Sequence, residues 1–405
     1  MKRFQLLIDC LAAAVSIIIL AYLFGFFYIQ AWNMYCVILI FFFALEYLPD
    51  FAKPELKTRV KLFSLLILIC GIAPHIYLLF NIERIRVLYG TTFTVGDVVF
   101  GSMAAFAVIC WVKRRFGWAM PIIGIVFILY VLFGHLLPRG MMGHAYYSFG
   151  RFVSFNFGDA AMYGTLMATC TRIIFLYMLF GSFLNTSGVG DYLIEAALVV
   201  AGRFRGGPAK VAVLSSALLG TINGNSVANV ATTGAITIPL MKKTGYRPEF
   251  AGAVEAVAST GGQILPPVMG SGAFIMAEYL GISYSAVALA AALPALLYYL
   301  AVFLQVDLVA VRTGLRGAAP EDLPDKKETL KKIYMLLPIA LMVYLLMIAR
   351  VSVTRAGLLS ILLTVVISWT QKSFRMGPRK IFAALADGSK STVGIAAVCL
   401  LAGII

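Results

Sequence analysis

Apolar runs about as long as a bilayer core recur along the chain, separated by short polar stretches rich in Lys and Arg. About 20 apolar residues in a helix cross a hydrocarbon core of about 30 Å. The pattern therefore predicts an all-α polytopic membrane protein. Its first four spans are predicted at 6–29, 31–48, 62–80 and 95–112. Basic residues at 53–61 and 113–115 place both ends of this four-span accessory unit, residues 1–117, in the cytoplasm.

The middle of the chain continues with further apolar runs. Residues 118–159 are predicted as a linking span followed by a Gly- and aromatic-rich outer loop. The next run, 160–184, carries Arg172, which is either a functional charge within the span or a side chain that reaches the interface. The amphipathic segment 188–205 fits either a helix lying among the headgroups or a crossing.

The composition agrees with this interpretation. Hydrophobic residues make up 61% of the 405 residues and charged residues only 13%, whereas soluble domains carry about 25% charged residues. The 33 Lys and Arg against 18 Asp and Glu indicate cytoplasmic loops and not nucleic-acid binding. The six cysteines lie within apolar runs without a CxxC pair, and the three histidines are scattered, so a metal enzyme finds no support.

The most informative stretch is 208–241, two short apolar arms around a polar tip at 223–226. Each arm is too short to cross the membrane, and Lys210, Lys242, Lys243 and Arg247 lie at its two ends. We therefore predict a re-entrant hairpin whose ends both face the cytoplasm. The tip oxygens suit a hard cation such as sodium, and helix ends at the tip would offer N–H groups to an anion. The alternative is that these polar residues only join helices by hydrogen bonds.

A broken helix is predicted at 248–280. One half-helix covers 248–260, two glycines and two prolines interrupt it, and a second half resumes at 268. A Gly/Pro-interrupted apolar segment marks the binding site of many transporters. Glu255, in the first half, is either a buried or proton-linked group or the structural partner of a nearby cation.

Residues 202–284, including LLGTINGNSVANVATTG and EAVASTGGQILPPVMGSG, resemble the large permease subunit of tripartite ATP-independent periplasmic (TRAP) transporters. They are most similar to the fused type that works with TAXI-class solute-binding proteins. The resemblance implies an elevator-type, sodium-driven permease of the inner membrane. It would take up organic anions such as carboxylates, delivered by an extracytoplasmic binding protein. Sodium would be the coupling ion, and no other cofactor is implied.

The resemblance also implies which residues bind substrate and ion. It places them at the hairpin tip and at the helix break: Thr221, Asn223, Gly224, Asn225, Ser226 and Asn229, and Ser259, Thr260, Gly261, Gly262, Gln263, Pro266 and Pro267. The family's tip often has serines where this chain has Asn223 and Asn225. Residues 1–117 would correspond to the small subunit, and 160–310 to the first half of an inverted-repeat transport domain.

Residues 311–405 are predicted to hold further spans at 333–349 and 356–369 and an apolar last segment at 391–405. The resemblance implies a second, inverted half with another hairpin and another broken helix, which this sequence does not contain. We therefore expect a permease component whose second half comes from another polypeptide. The alternatives are a truncated or split fragment that does not transport, and a membrane enzyme, for which no nucleophile, base or metal set is present.

Overall fold

The computed structural model of the chain describes residues 2–87, 92–138, 142–370 and 374–405. The predicted outer loop at 139–159 and the basic loop at 372–380 lie partly outside these residues. Within the described residues every regular element is helical, and the α-helices are α1 Lys2–Leu23, α2 Ala31–Tyr47, α3 Pro49–Ala52, α4 Thr58–Val87, α5 Val95–Phe116, α6 Ala119–Phe133, α7 Phe149–Asn156, α8 Thr165–Thr169, α9 Phe175–Thr186, α10 Val189–Ala201, α11 Gly207–Asn223, α12 Ser226–Lys243, α13 Pro248–Gly261, α14 Ser271–Leu280, α15 Tyr284–Thr313, α16 Lys326–Lys331, α17 Leu337–Val343, α18 Val353–Ser368 and α19 Pro378–Ile404.

Eight helical segments of the described chain are long and apolar enough to cross a membrane, which confirms the polytopic all-α prediction. They are Phe4–Leu23, Ala31–Ala52, Thr58–Val87, Val95–Phe116, Ala119–Leu136, Thr165–Thr186, Tyr284–Thr313 and Pro378–Ile404. A bent pair, Pro320–Lys331 and Ile333–Ile348, would make a ninth, with 75° between its two parts.

The chain forms two compact units, residues 1–175 with 385–405, and residues 176–384. The last helix joins the first unit at its C-terminal end, where the Ser16 hydroxyl donates to the Leu385 carbonyl at 2.6 Å and Lys390 pairs with Asp9 at 2.5 Å. These units follow packing and cut the chain at places other than 117, 159 and 310. The functional division at those positions stays a prediction.

In the first unit, α4 continues to Val87, well past the apolar run that ends at residue 80. The extra turns hold Arg84, whose guanidinium lies 2.6 Å from the carboxylate of Asp97. Asp97 also closes a capping box with Thr94 at the start of α5. The positive charge that departs from the cytoplasmic trend is therefore neutralised locally.

In the second unit, α11, α12, α13 and α15 pack around a core of mostly small side chains. Its buried members are Ala209, Ala212, Val213, Met241, Tyr246, Ala251, Val254, Ala258, Tyr299 and Val306. Small residues let helix backbones approach closely, which is how helices associate in a membrane. This packing brings the hairpin made by α11 and α12 against the first half of the broken helix.

Candidate functional site

The hairpin turns within two residues. Helix α11 ends at Asn223, and Gly224 follows with φ +55°, the left-handed conformation that ends many helices. Asn225 is the N-cap of α12, and its side-chain oxygen accepts hydrogen bonds from the backbone N–H groups of Val227 at 3.0 Å and Ala228 at 3.3 Å. The side chain of Asn223 lies outside what the structure describes. The Asn225 oxygen, predicted as an ion ligand, thus also caps a helix.

The hairpin tip, residues 223–226, lies directly against the interruption of the broken helix. The backbone N–H of Val268 donates to the Thr221 carbonyl at 3.2 Å, and the Gln263 amide donates to the Ser226 hydroxyl at 3.0 Å. A Cβ built on Gly224 would lie 1.9 Å from the Met269 carbonyl oxygen. Only glycine fits there, so the tip and the interruption form one junction.

The interruption is longer than the sequence predicted. The first half-helix, α13, ends at Gly261, and the second half, α14, begins at Ser271, three residues later than the predicted 268. The intervening backbone includes Met269 with φ +54°, and it cannot be helical while Val268 donates across to the hairpin. Residues 262–270 are called the helix break below.

Tyr284, which sequence reasoning did not single out, supports the helix break. Its hydroxyl lies 2.7 Å from the carbonyl oxygens of both Pro267 and Val268. Its ring stacks on Phe274 of α14, with centroids 4.3 Å apart. A buried tyrosine from the start of α15 thereby fixes irregular backbone whose carbonyls are not used within a helix.

Two helix C-termini meet at the junction. A Cβ built on Gly220, in the last turn of α11, would lie 2.4 Å from the Cα of Gly262, the residue after α13. Helix C-termini carry partial negative charge from their free carbonyl groups. The hydroxyls of Thr221 and Thr260 donate within their own helices, to the carbonyls of Leu218 and Ala256. Their oxygen lone pairs therefore remain available, and the junction as a whole favours a cation.

Glu255 forms a second polar cluster, deeper along the same helices. Its side chain is 0% exposed, and its carboxylate contacts only hydroxyl groups: those of Ser216 at 2.9 Å, Thr237 at 2.5 Å, Ser259 at 3.3 Å, and Thr233. We call these five residues the Glu255 cluster. Within the described chain no ion pair involves Glu255. The structural alternative, a nearby cationic side chain, is therefore wrong.

The predicted site residues thus divide into two groups. Thr221, Gly224, Ser226, Gly262 and Gln263 come together at the tip–break junction. Ser259 belongs to the Glu255 cluster, and the buried Asn229 contacts the same region by donating to the Ser216 carbonyl at 2.8 Å.

The hydroxyls of Ser216, Thr233 and Thr237 were missed by sequence reasoning. A signal for them exists, because Asn229, Thr233 and Thr237 repeat every four residues and so share one face of α12. On α13, Glu255 and Ser259 have the same spacing.

The cytoplasm-facing base of the hairpin, as the flanking charges predict it, is held by ion pairs. Asp307 of α15 accepts from Arg205 at 2.8 Å and from Lys210 at 2.6 Å. The phenol of Tyr246 donates to the Gly206 carbonyl at 3.4 Å, and burial raises the pKa of Tyr246 to about 12, so it stays a neutral donor. The base is thus fastened, whereas the tip rests on a few backbone and side-chain hydrogen bonds.

Comparisons with known proteins agree with this architecture. Over 136 residues the chain is 34% identical to the uncharacterized protein YgiK of Salmonella typhimurium, covering 34% of this chain and 31% of that protein. It is 33% identical over 137 residues to the C4-dicarboxylate TRAP transporter large permease protein DctM of Pseudomonas aeruginosa, covering 33% and 31%. It is 22% identical over 180 residues to the sialic acid TRAP transporter large permease protein SiaM of Vibrio cholerae, covering 44% and 42%.

These alignments span about a third to two fifths of the length of the relatives. The model of the tripartite ATP-independent periplasmic transporter DctM component matches residues 103–405, most of the chain. The chain therefore belongs to the DctM family of TRAP transporter components, and with its eight apolar helices it is a multi-pass protein of the inner membrane.

Proposed function

We propose that this chain is a permease component of a sodium-coupled secondary transporter that takes up organic anions, delivered by an extracytoplasmic solute-binding protein. Sodium binds at the tip–break junction, and the anion binds beside it. The binding protein is of the TAXI class, and residues 1–117 act as a fused small subunit. Transport, and not catalysis, is the role that family membership supports.

The observation that carries the sodium site is the meeting of two helix C-termini at the junction. The ends of α11 and α13 adjoin at Gly220 and Gly262, and their dipoles make the place electronegative without a formal charge. The hydroxyl oxygens of Thr221 and Ser226 lie on the tip. Neutral oxygens beside helix ends are how many secondary transporters hold sodium near the middle of the membrane.

The anion is supported by the opposite helix polarity at the same junction. Helix α14 begins at Ser271, and its N-cap, Gly270, offers no side-chain cap. Free N–H groups at a helix N-terminus favour carboxylates. Two relatives are named for C4-dicarboxylates and for sialic acid, and both of these solutes carry carboxylate groups.

The test is sodium-dependent uptake in proteoliposomes that contain the complete permease with this chain and its binding protein. Ser226→Ala and the cap-preserving Asn225→Ser each remove one neutral oxygen ligand or change its position. A lost ligand costs about 1 to 3 kcal/mol, so half-saturating sodium should rise about tenfold to a hundredfold.

Thr232→Val is the matched control, because this hydroxyl lies on α12 but bonds only to the Ala228 carbonyl of its own helix. Its half-saturating sodium should equal that of the wild type. Unchanged half-saturating sodium in both tip variants, at normal expression, would remove the junction from the ion site.

A further inference from the structure

The Glu255 cluster joins three helices around one carboxylate in the interior of the second unit. Ser216 comes from α11, Thr233 and Thr237 come from α12, and Ser259 comes from α13 together with Glu255. Glu255 and all four hydroxyl-bearing residues are fully buried. Both arms of the hairpin are thereby bonded to the first half of the broken helix through a single acidic group.

No protein cation compensates this carboxylate within the described residues. The charged and titratable side chains of its own and the adjacent helices lie elsewhere or bond elsewhere: Lys210 pairs with Asp307, Lys243 with Asp322 and Glu249 with Arg247. The phenols of Tyr298 and Tyr299 donate to the carbonyls of Val257 and Ala258. The remaining ones on α11, α12, α13 and α15, none of them in contact with Glu255, are Lys242, Tyr284 and Arg312.

The hydroxyl protons are too few for every contact in the Glu255 cluster. Thr233 has one proton, but its oxygen contacts the Asn229 carbonyl at 2.8 Å and a Glu255 oxygen. Thr237 likewise contacts the Thr233 carbonyl at 3.0 Å and the other Glu255 oxygen at 2.5 Å. When these protons serve the backbone carbonyls, lone pairs face the carboxylate. One additional positive charge, placed between these oxygens, would remove the repulsion.

Asn229 offers a further oxygen nearby. Its amide nitrogen donates to the Ser216 carbonyl at 2.8 Å, whereas its side-chain oxygen is buried and has no partner. Asn229 is 1% exposed. An unsatisfied buried acceptor costs about 1 to 3 kcal/mol, and such a cost points to a group that binds there.

We propose that the Glu255 cluster takes up one cation from solution, a proton or a sodium ion, at a site separate from the tip–break junction. The charge-neutral cluster holds both hairpin arms against α13, and the empty, ionised cluster weakens that packing. This proposal deepens the proposed function, since it adds a second coupling site to the same transport module. It does not depend on sodium binding at the tip.

The test uses the purified full chain in detergent and needs no transport. The melting temperature is measured against NaCl balanced with choline chloride at fixed pH, and against pH at fixed NaCl. A cation that binds only the folded chain raises the melting temperature with its concentration. We expect Glu255→Gln, which is nearly isosteric and neutral, to lose a dependence that the wild type shows.

Sodium dependence that Glu255→Gln loses assigns sodium, and a fall in melting temperature with rising pH that it loses assigns the proton. Ser226→Ala should keep this component, which separates it from binding at the tip. Glu249→Gln, at an exposed carboxylate of the same helix, should behave as the wild type.

If Glu255→Gln fails to fold, Thr237→Val is the second variant, because it removes one hydroxyl and leaves the carboxylate. It should shift the midpoint of the same sodium or pH dependence by about tenfold in cation concentration. The proposal is overturned if Glu255→Gln or Thr237→Val keeps the full dependence of the wild type. It is also overturned if the wild type responds to neither sodium nor pH.

Discussion

Buried acidic groups are treated in opposite ways by the two compact units. In the first unit, Glu46 lies 2.6 Å from Arg115, and Asp50 lies 2.5 Å from Arg114. In the second unit, Glu255 contacts hydroxyl groups alone. A permanent ion pair is independent of the solution, whereas a carboxylate without a protein counter-charge responds to cations around it. The first arrangement suits a scaffold and the second suits a moving, ion-linked element.

The packing differs in the same sense. The first unit fills its interior with large rings, such as Phe43 and Trp111 at 4.6 Å between centroids. The second unit places glycine backbone on glycine backbone at Gly220 and Gly262. Large interlocking side chains resist sliding, and small ones allow close approach while storing little side-chain interdigitation. The junction is therefore held by backbone fit, and backbone fit is sensitive to one added methyl group.

The largest effect that would sharpen this comparison is expected from Gly224→Ala. The new Cβ would lie 1.9 Å from the Met269 carbonyl, and alanine would have to adopt φ +55°. Overpacking and the left-handed backbone together should lower the free energy of unfolding by about 2 to 4 kcal/mol. Thermal or detergent unfolding of the purified chain measures this change.

Gly252→Ala is the matched control, because a Cβ there meets nothing within 4 Å. Alanine within a helix should leave stability equal or raise it by up to about 1 kcal/mol. Equal stability of both variants would mean that the tip does not rest on the helix break.

The fold class, the hairpin and the position of the helix break were accessible from the sequence because apolar length and Gly/Pro breaks are local signals. The Asn225 cap was not predicted as a cap, although Asn before an apolar helix is a strong N-cap signal. The start of α14 at Ser271 depends on a hydrogen bond from Val268 to another helix, which no local pattern encodes.

The Glu255 cluster shows the same limit in a different way. The sequence indicated a functional or paired acid at Glu255, but its partners come from positions 18 to 39 residues away. Only the packing of three helices decides whether a serine such as Ser216 faces lipid or a carboxylate. The absence of a cationic partner could not be deduced, because Lys210 lies on the same helix as Ser216.

A smaller effect is expected in the first unit from Asp50→Asn. Asp50 accepts from Arg114 and from the Ser64 hydroxyl at 2.6 Å, and Arg114 keeps its second partner, Glu46, at 2.9 Å. Because the arginine is about one third exposed, the loss should be about 1 to 3 kcal/mol in the free energy of unfolding, between exposed and buried pairs. Detergent unfolding measures it.

The comparison requires that this loss be the same in NaCl and in choline chloride at equal ionic strength, since the pair is internal. Glu55→Gln, at an exposed carboxylate nearby, should change stability little. A sodium-specific effect of Asp50→Asn would break the contrast, because it would make the first unit ion-linked as well.

The smallest expected effect concerns the side-chain bond between the tip and the helix break. The Gln263 amide donates to the Ser226 hydroxyl at 3.0 Å, and both side chains are at least partly exposed. A double-mutant cycle with Ser226→Ala and Gln263→Ala isolates this pair, because neither truncation removes a backbone contact of the junction. The coupling free energy should be about 0.5 to 1.5 kcal/mol, the net value of one hydrogen bond. The same cycle between Ser226→Ala and Thr232→Val should give a coupling near zero, since the Thr232 hydroxyl bonds only within α12. Coupling near zero for Ser226 and Gln263 would leave the tip held by Gly224 and the Val268–Thr221 backbone bond alone. Coupling well above the expected range would instead make the tip as firmly fastened as the ion-paired base, and the contrast between a fixed base and a releasable tip would then be wrong.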